Sequence, residues 1–150
     1  SATARRYRYL LVDRAVRHFE RSYPESRYVS NCSPLGNSPI GMNVQVFAAC
    51  DLIGVLEDNP DHLDREHVSY RFYREESGDR YRPSYINYEP PLNRPDIWVT
   101  LDYQEDFELL KALYEEVAPG NPHFGMGDVI QWVDAHPEMH AACKNLRGLT

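Results

Sequence analysis

Six segments of the chain repeat their apolar residues at intervals of three and four, which is the spacing of one face of an α-helix. The first segment brings Leu11, Ala15 and Phe19 to one face, and Pro24 follows its end. The last segment begins at Pro137, a residue that the first turn of a helix accepts. The pattern predicts helices over residues 10–22, 48–58, 64–77, 104–117, 126–136 and 137–146.

Short apolar or alternating segments predict four strands between these helices, at residues 27–31, 43–47, 80–89 and 96–101. The segment 80–89 contains Pro83, which has no N–H for a strand ladder, so we expect it at a sheet edge. The segments NVQVF and IWVTL are short, apolar and bounded by turn residues, so we predict that both are central strands. The order α, β, β, α, α, β, β, α, α, α predicts an α/β fold, with a mixed sheet and flanking helices.

Asp102 lies at the junction between the last predicted strand and the helix 104–117. One interpretation is an N-cap, in which its carboxylate accepts backbone N–H groups of the first turn and Glu105 completes a capping box. The other is a metal ligand, because the ends of strands in α/β sheets are where ligands gather. The spacing favours the cap and leaves both interpretations open.

Length and charge narrow the class of protein. A chain of 150 residues suffices for one domain with a core, and we predict an N-terminal arm at residues 1–9 followed by that domain at 10–150. The net charge of −7 argues against a surface for nucleic-acid phosphates. No segment has the apolar length of a membrane-spanning helix or a signal peptide, so we expect no membrane partner and a cytoplasmic location.

The cysteines and histidines do not form a strong metal motif. Cys32, Cys50 and Cys143 are odd in number and far apart, which fits neither a disulfide framework nor a zinc site. His136 and His140 have the i, i+4 spacing of metal ligands, although Pro137 between them favours the start of a new helix. The sequence also lacks a glycine-rich phosphate loop and a G-x-S-x-G nucleophile turn.

Five motifs, in collinear order from about residue 10 to about residue 145, carry a resemblance to a known family. They are YVSNCSP, GMNVQVF, DREHVSYRFYRE, WVTLDYQEDFELLKALYEE and FGMGDVIQWVDAHPEM. Together they resemble the C-terminal half of the spore-coat polysaccharide type of cytidylyltransferase, a relative of the synthetases that couple CTP to acidic sugars such as Kdo and sialic acid. The resemblance implies the C-terminal half of a Rossmann-like nucleotidyltransferase fold. In that fold the first half holds CTP, and the second half supplies the sugar side, a dimerisation segment and a metal-binding aspartate.

The resemblance also implies roles for individual residues. Asp102 matches the family aspartate that helps to hold Mg²⁺. Glu66 and His67 match a segment at the sugar side and the dimer contact, for which their spacing alone would indicate an exposed helix pair. Tyr73 matches an aromatic position that follows this segment.

The chain departs from the family at three matched positions. Asn43 and Gln45 stand where the family has carboxylates, so we expect substrate contacts there by amides rather than by charges. Arg71 stands where the family has tyrosine. The glycine- and arginine-containing CTP loop has no counterpart in these 150 residues.

Two hypotheses follow from this comparison. In the first, the chain is the sugar-side half of a cytidylyltransferase, needs a nucleotide-binding half for activity, and binds Mg²⁺ weakly or not at all by itself. In the second, it is a non-catalytic binding or assembly module derived from this family. For both we expect a homodimer or a separate nucleotide-binding chain as partner, and an acidic sugar as possible ligand.

Overall fold

The computed structural model of the chain describes residues 2–32 and 36–148, with side chains from residue 11 onward. Helices outnumber strands in this part of the chain, and the strands are short. In order, the elements are helix α1 (Ala2–Ser22), strands β1 (Tyr28–Ser30) and β2 (Gln45–Phe47), helices α2 (Ala49–Glu57), α3 (His62–Glu66) and α4 (Tyr70–Tyr73), a 3-10 turn (Glu75–Ser77), helix α5 (Gly78–Tyr81), strand β3 (Ser84–Tyr85), and helices α6 (Gln104–Val117), α7 (Met126–Ala135) and α8 (Pro137–Asn145).

The three described strands form one mixed sheet in the order β2-β1-β3. Strand β1 pairs antiparallel with β2 and parallel with β3, and all three of its residues are buried. The edge position predicted for the segment around Pro83 is confirmed by β3. The central position predicted for NVQVF is wrong, because β2 lies at an edge of this sheet and β1 lies at its centre.

The predicted strand IWVTL is reduced to a single parallel bridge between Trp98 and Ile40. The next residue after Ile40 is Gly41, which has a φ of +103° and turns its chain away from a ladder. The backbones are also very close at this point, since a Cβ on Gly41 would lie 2.6 Å from the carbonyl oxygen of Val99. Pairing therefore stops after one residue, although Ile97 and Val99 are buried as the apolar pattern predicted.

The predicted helices agree best in the C-terminal third. Helix α1 begins at Ala2 rather than at residue 10, so the backbone of the predicted N-terminal arm is helical. The predicted helix 64–77 is divided into α3, α4 and a 3-10 turn. A capping box between Asp61 and Asp64 fixes the start of α3 two residues before the predicted segment. None of the described helices is long and apolar enough to span a membrane.

Two clusters of buried side chains lie on opposite sides of strand β1. Val29 belongs to a large aliphatic core with residues from α6, α7 and the segment 86–99. Its neighbour Tyr28 belongs to a smaller aromatic cluster, in which the Phe72 ring lies 5.9 Å from the Tyr28 ring and 4.7 Å from the Phe47 ring. Alternate residues of a strand point to opposite faces, so this central strand supports both clusters.

Candidate functional site

A cavity of about 560 Å³, which we call the sheet cavity, lies beside the three strands. Three of the residues to which the resemblance assigns substrate contacts, Asn43, Gln45 and Tyr73, line it. Its volume is within the range of roughly 300–1,000 Å³ that is typical of small-molecule sites. The other lining residues are Tyr28, Cys32, Arg74, Glu75, Gly78, Pro83 and Tyr85.

Gln45 is oriented by contacts at both ends of its side-chain amide. The hydroxyl of Ser69 donates a hydrogen bond of 2.5 Å to its Oε1, and its Nε2 lies 3.6 Å from the sulfur of Cys32. Ser69 is itself buried. This hydrogen bond therefore ties the edge strand β2 to the segment before α4 and holds the amide at the cavity wall.

Tyrosine phenols give the sheet cavity a neutral, polar lining. Burial raises the pKa of Tyr28, Tyr73 and Tyr85, so all three phenols remain protonated at neutral pH. Tyr28 is held against Phe72, whereas Tyr73 is 40% exposed. A protonated phenol can donate or accept a hydrogen bond, so these side chains can contact polar groups of a ligand.

Charge at this cavity is limited to two of its lining residues, Arg74 and Glu75. The Arg74 guanidinium donates to the carboxylate of Asp61 over 2.7 Å. The backbone N–H of Asp64 in the capping box, and then this contact with Arg74, lower the pKa of Asp61. Arg74 is the one cation among the described residues that line this cavity.

Glu66 and His67 are not among the residues that line the sheet cavity. Both are exposed at the C-terminal end of α3, where His67 is the residue after the last helical one. The structure therefore brings Asn43, Gln45 and Tyr73 together and leaves this pair on the surface. A dimer contact for the pair stays a prediction.

Arg71, which stands where the family has tyrosine, forms an internal ion pair. Its guanidinium donates two hydrogen bonds to one carboxylate oxygen of Asp64, and both side chains are buried. The hydrogen bonds from Arg71 lower the pKa of Asp64, which therefore remains ionised in the folded protein. This pair joins α4 to α3 across the break that divides the predicted single helix.

Asp102 does not cap helix α6, so the N-cap interpretation is wrong. The carboxylate of Asp106 does so instead, accepting the backbone N–H groups of Asp102 and Tyr103 at 2.9 and 3.0 Å. The Asp102 side chain instead accepts a hydrogen bond of 2.6 Å from Thr100 and one of 3.0 Å from Arg147. A carboxylate three residues after Tyr103 was the sequence signal for this cap, and Asp106 provides it rather than Glu105.

Arg147 is the centre of the group of polar side chains around Asp102 and Asp106, which we call the Arg147 network. Its guanidinium binds both oxygens of Asp106 and the carbonyl oxygen of Cys143, and it lies about 5 Å from the ring centroids of Trp98 and Tyr103. Hydrogen bonds from Arg147 hold the pKa of Asp106 far below its usual range. Burial, together with the neighbouring Asp106, raises the pKa of the Cys143 thiol to about 11.

The donor set around Asp102 does not suit Mg²⁺. That ion takes oxygen ligands in near-octahedral geometry and usually requires one or two carboxylates together with substrate phosphates. Here the Arg147 guanidinium is already paired with the carboxylates of both Asp102 and the nearby Asp106. Among residues 11–32 and 36–148 no group of three or more His, Cys, Asp or Glu residues could hold a metal ion.

The two histidines with metal-ligand spacing have structural partners. His136 stacks on Trp132 at 4.0 Å between ring centroids, with its Nδ1 2.8 Å from the Trp132 carbonyl oxygen. His140 accepts the backbone N–H of Trp98 at its Nε2 over 3.0 Å. These contacts orient the two rings in different parts of the α7–α8 junction and account for both residues without a metal.

The fold is similar to that of a solved structure, a cytidylyltransferase from Leptospira borgpetersenii serovar Hardjo-bovis (strain JB197), with a TM-score of 0.67 and 21% sequence identity. The similarity covers 87% of the present chain and 52% of the other, so the chain spans about half the length of this relative. No family model and no curated protein matches the sequence. At this identity the similarity establishes the fold, and it confirms the mixed α/β class with flanking helices.

Proposed function

We propose that the chain is the sugar-side half of a cytidylyltransferase-like protein of the spore-coat polysaccharide type, within a Rossmann-like nucleotidyltransferase fold. The reaction of such a protein joins the cytidylyl group of CTP to an acidic sugar and releases pyrophosphate. The main support is that Asn43 and Gln45 line one cavity together with Tyr73, which is distant from them in the sequence, in a fold similar to part of a cytidylyltransferase.

The sheet cavity has the chemistry for an acidic sugar. The amides of Asn43 and Gln45 each offer donors and an acceptor, and the phenol of Tyr73 offers one of each. Arg74 can meet a sugar carboxylate by a charge-assisted hydrogen bond. Amides in place of family carboxylates also remove negative charges that would repel the ligand.

Catalysis in this proposal requires a nucleotide-binding half. Cytidylyl transfer depends on groups that neutralise the charge developing on the phosphates, and the 150 residues contain no glycine-rich phosphate loop. Mg²⁺ would supply that neutralisation when bound. Because the donor set at Asp102 suits Arg147 better than a metal, we expect the chain alone to bind Mg²⁺ weakly or not at all and to be inactive.

The partner in this proposal is either a second copy of the chain or a separate nucleotide-binding chain. Glu66 and His67 are exposed as a dimer contact requires, and α3 and α4 also contain the exposed residues Arg65 and Tyr73, whose types are enriched at interfaces. Light scattering that shows a monomer throughout the micromolar range would contradict the homodimer. A cytoplasmic location is also part of the proposal, in keeping with three cysteines that are free thiols.

The decisive experiment measures sugar binding and turnover separately. Calorimetric titration with Kdo and with sialic acid should show binding to the purified chain, and Tyr73→Phe should weaken it while Tyr114→Phe, an exposed control on α6, should not. Addition of CTP and Mg²⁺ should release no pyrophosphate. Absence of sugar binding would contradict the sugar-side assignment, and unaided pyrophosphate release would contradict the need for another half.

The second candidate function is a non-catalytic binding or assembly module. The observation that favours it is Arg71, since this replacement of a family tyrosine has become part of a buried structural ion pair with Asp64. A nucleotide-binding half from a related cytidylyltransferase distinguishes the two functions. Turnover in the mixture supports the transferase half, whereas sugar binding without turnover supports the module.

A further inference from the structure

A second cavity, of about 550 Å³, lies between helix α1 and the segment 88–92, and we call it the α1 cavity. Three arginines and a histidine of α1 line it, at intervals of three and four residues that place them on one face of the helix. These residues are Arg14, Arg17, His18 and Arg21. The apolar part of the lining comes from Leu11, Pro90, Pro91 and Leu92.

Two of these side chains are held in position by the protein. The Arg14 guanidinium lies over the Tyr88 ring at 5.5 Å, and Tyr88 is almost completely buried, so the ring is a fixed support. His18 has its Nε2 3.1 Å from the hydroxyl of Ser84. Arg17 and Arg21 are exposed, and neither forms an ion pair with the side chains described for residues 11–32 and 36–148.

Local charge in the α1 cavity opposes that of the whole molecule. The chain has a net charge of −7, whereas the cavity lining has three arginines against two carboxylates, Asp13 and Glu89. An anion is therefore repelled by the protein as a whole and attracted at this position. Attraction of anions is therefore a property of the α1 cavity and not of the protein surface as a whole.

The spacing of the arginines indicates the size of the anion. A helix rises 1.5 Å per residue, so the backbone positions of Arg14 and Arg21 are separated by about 10 Å along the axis. One phosphate is too small to contact guanidinium groups along this whole length. Guanidinium groups form paired hydrogen bonds with phosphate oxygens, and the apolar lining offers contact area to an uncharged part of a ligand.

We propose that the α1 cavity binds a small molecule with a chain of two or more phosphate groups. Arg17 and Arg21 contact the phosphates, Arg14 is fixed at one end of the row by Tyr88, and the prolines and Leu92 receive any apolar portion. Inorganic polyphosphates and nucleoside polyphosphates share this chemistry. The residues involved are separate from those of the sheet cavity, so this proposal does not depend on the proposed function.

Calorimetric titration with tripolyphosphate and with CTP, at one fixed ionic strength and without Mg²⁺, tests the proposal. Each arginine that contacts a phosphate contributes a charge-assisted hydrogen bond, so Arg17→Gln/Arg21→Gln should weaken binding by at least about tenfold. The matched control Arg65→Gln/Lys111→Gln removes the same charge from exposed residues outside the cavity and should change affinity by less than about twofold. Removal of the two lining carboxylates by Asp13→Asn/Glu89→Gln should tighten binding.

The outcomes separate the possible ligands. Tighter binding of CTP than of tripolyphosphate supports a nucleotide whose base contacts the apolar lining, whereas equal binding supports recognition of the phosphate chain alone. Equal weakening by the two double variants would overturn the proposal, because it would show attraction to general charge. Absence of binding by both ligands, or displacement of tripolyphosphate by single-stranded RNA at much lower concentration, would also overturn it.

Discussion

The sheet cavity and the Arg147 network both bring together residues that are distant in the sequence, and they use polar groups in opposite ways. In the network, the guanidinium of Arg147 is divided among Asp106, Asp102 and Thr100, and aromatic rings cover it. In the sheet cavity, the polar groups are mainly neutral amides and phenols on an open wall. Charged groups that are paired with one another inside the protein, as in the Arg147 network, stabilise the fold. Neutral polar groups that face a cavity remain available to bind a ligand.

The largest expected effect comes from Arg147→Ala. Asp106 is 2% exposed, so this substitution leaves a buried carboxylate without its cation, which should cost about 3–5 kcal/mol in the free energy of unfolding. The control is Arg80→Ala, which breaks a pair with Asp58 in which both side chains are about half exposed, and it should cost less than about 1 kcal/mol. Urea unfolding measures both, and equal losses would contradict a structural role for the network.

The dependence of stability on pH should also reveal the structural role of the Arg147–Asp106 ion pair. The pKa of Asp106 is lower in the folded protein than in the unfolded chain, so the unfolded chain takes up the proton first as pH falls. The stabilisation from the ionised Asp106 is fully present at pH values well above the ordinary carboxylate pKa of about 3.9. Below that pH, the free energy of unfolding should fall by about 1.4 kcal/mol per pH unit. Asp106→Asn should remove this pH-dependent contribution to stability. If the unfolding free energies of the variant and the wild type depend on pH in the same way between pH 5 and 2, Asp106 makes no such contribution.

A smaller effect is expected at the sheet cavity from Gln45→Glu. The carboxylate can still accept the hydrogen bond from Ser69, so the free energy of unfolding should change by less than about 1 kcal/mol. The new negative charge should repel an acidic sugar and weaken its binding several-fold. Gln104→Glu, at an exposed position on α6, is the matched control. Unchanged affinity for Kdo and sialic acid in Gln45→Glu would remove Gln45 from the sugar site.

The smallest effect should come from Asp102→Asn. Its side chain is largely exposed, asparagine can still accept from Thr100 and Arg147, and Asp106 retains the helix cap. We expect little or no measurable change in the free energy of unfolding and no change in Mn²⁺ titration of the isolated chain. A clear loss of Mn²⁺ binding on substitution would instead show that Asp102 is a metal ligand in this chain.

The helices of the C-terminal third illustrate what periodicity predicts well. Helices α6, α7 and α8 have apolar stripes that face a core, and their starts coincide with acidic residues or proline in the first turn. The cap of α6 was also encoded locally, because Asp106 is three residues after Tyr103. The sequence prediction chose Asp102 because it lies at the junction, and it overlooked the carboxylate at the more favourable spacing.

The sheet cavity shows why local sequence patterns could not predict the whole structure. The positions of Gln45 and Tyr73 around one cavity depend on the pairing of β2 with β1 and on the Arg71–Asp64 ion pair between α3 and α4. The strand pairing joins segments that are distant in the sequence, and the ion pair spans the break between two separate helices. The resemblance to a family identified Asn43, Gln45 and Tyr73, whereas spacing alone did not.

By itself the sequence determined the elements whose apolar residues repeat over three or more turns, the mixed α/β class and the absence of a glycine-rich phosphate loop from these 150 residues. Tertiary structure decided which strand is central, where the helix 64–77 divides, and that Asp102 lies beside Arg147. The physical reason is the range of the interactions. Periodicity and capping depend on neighbours within one turn, whereas sheet order and ion pairing depend on residues that only the folded chain brings together.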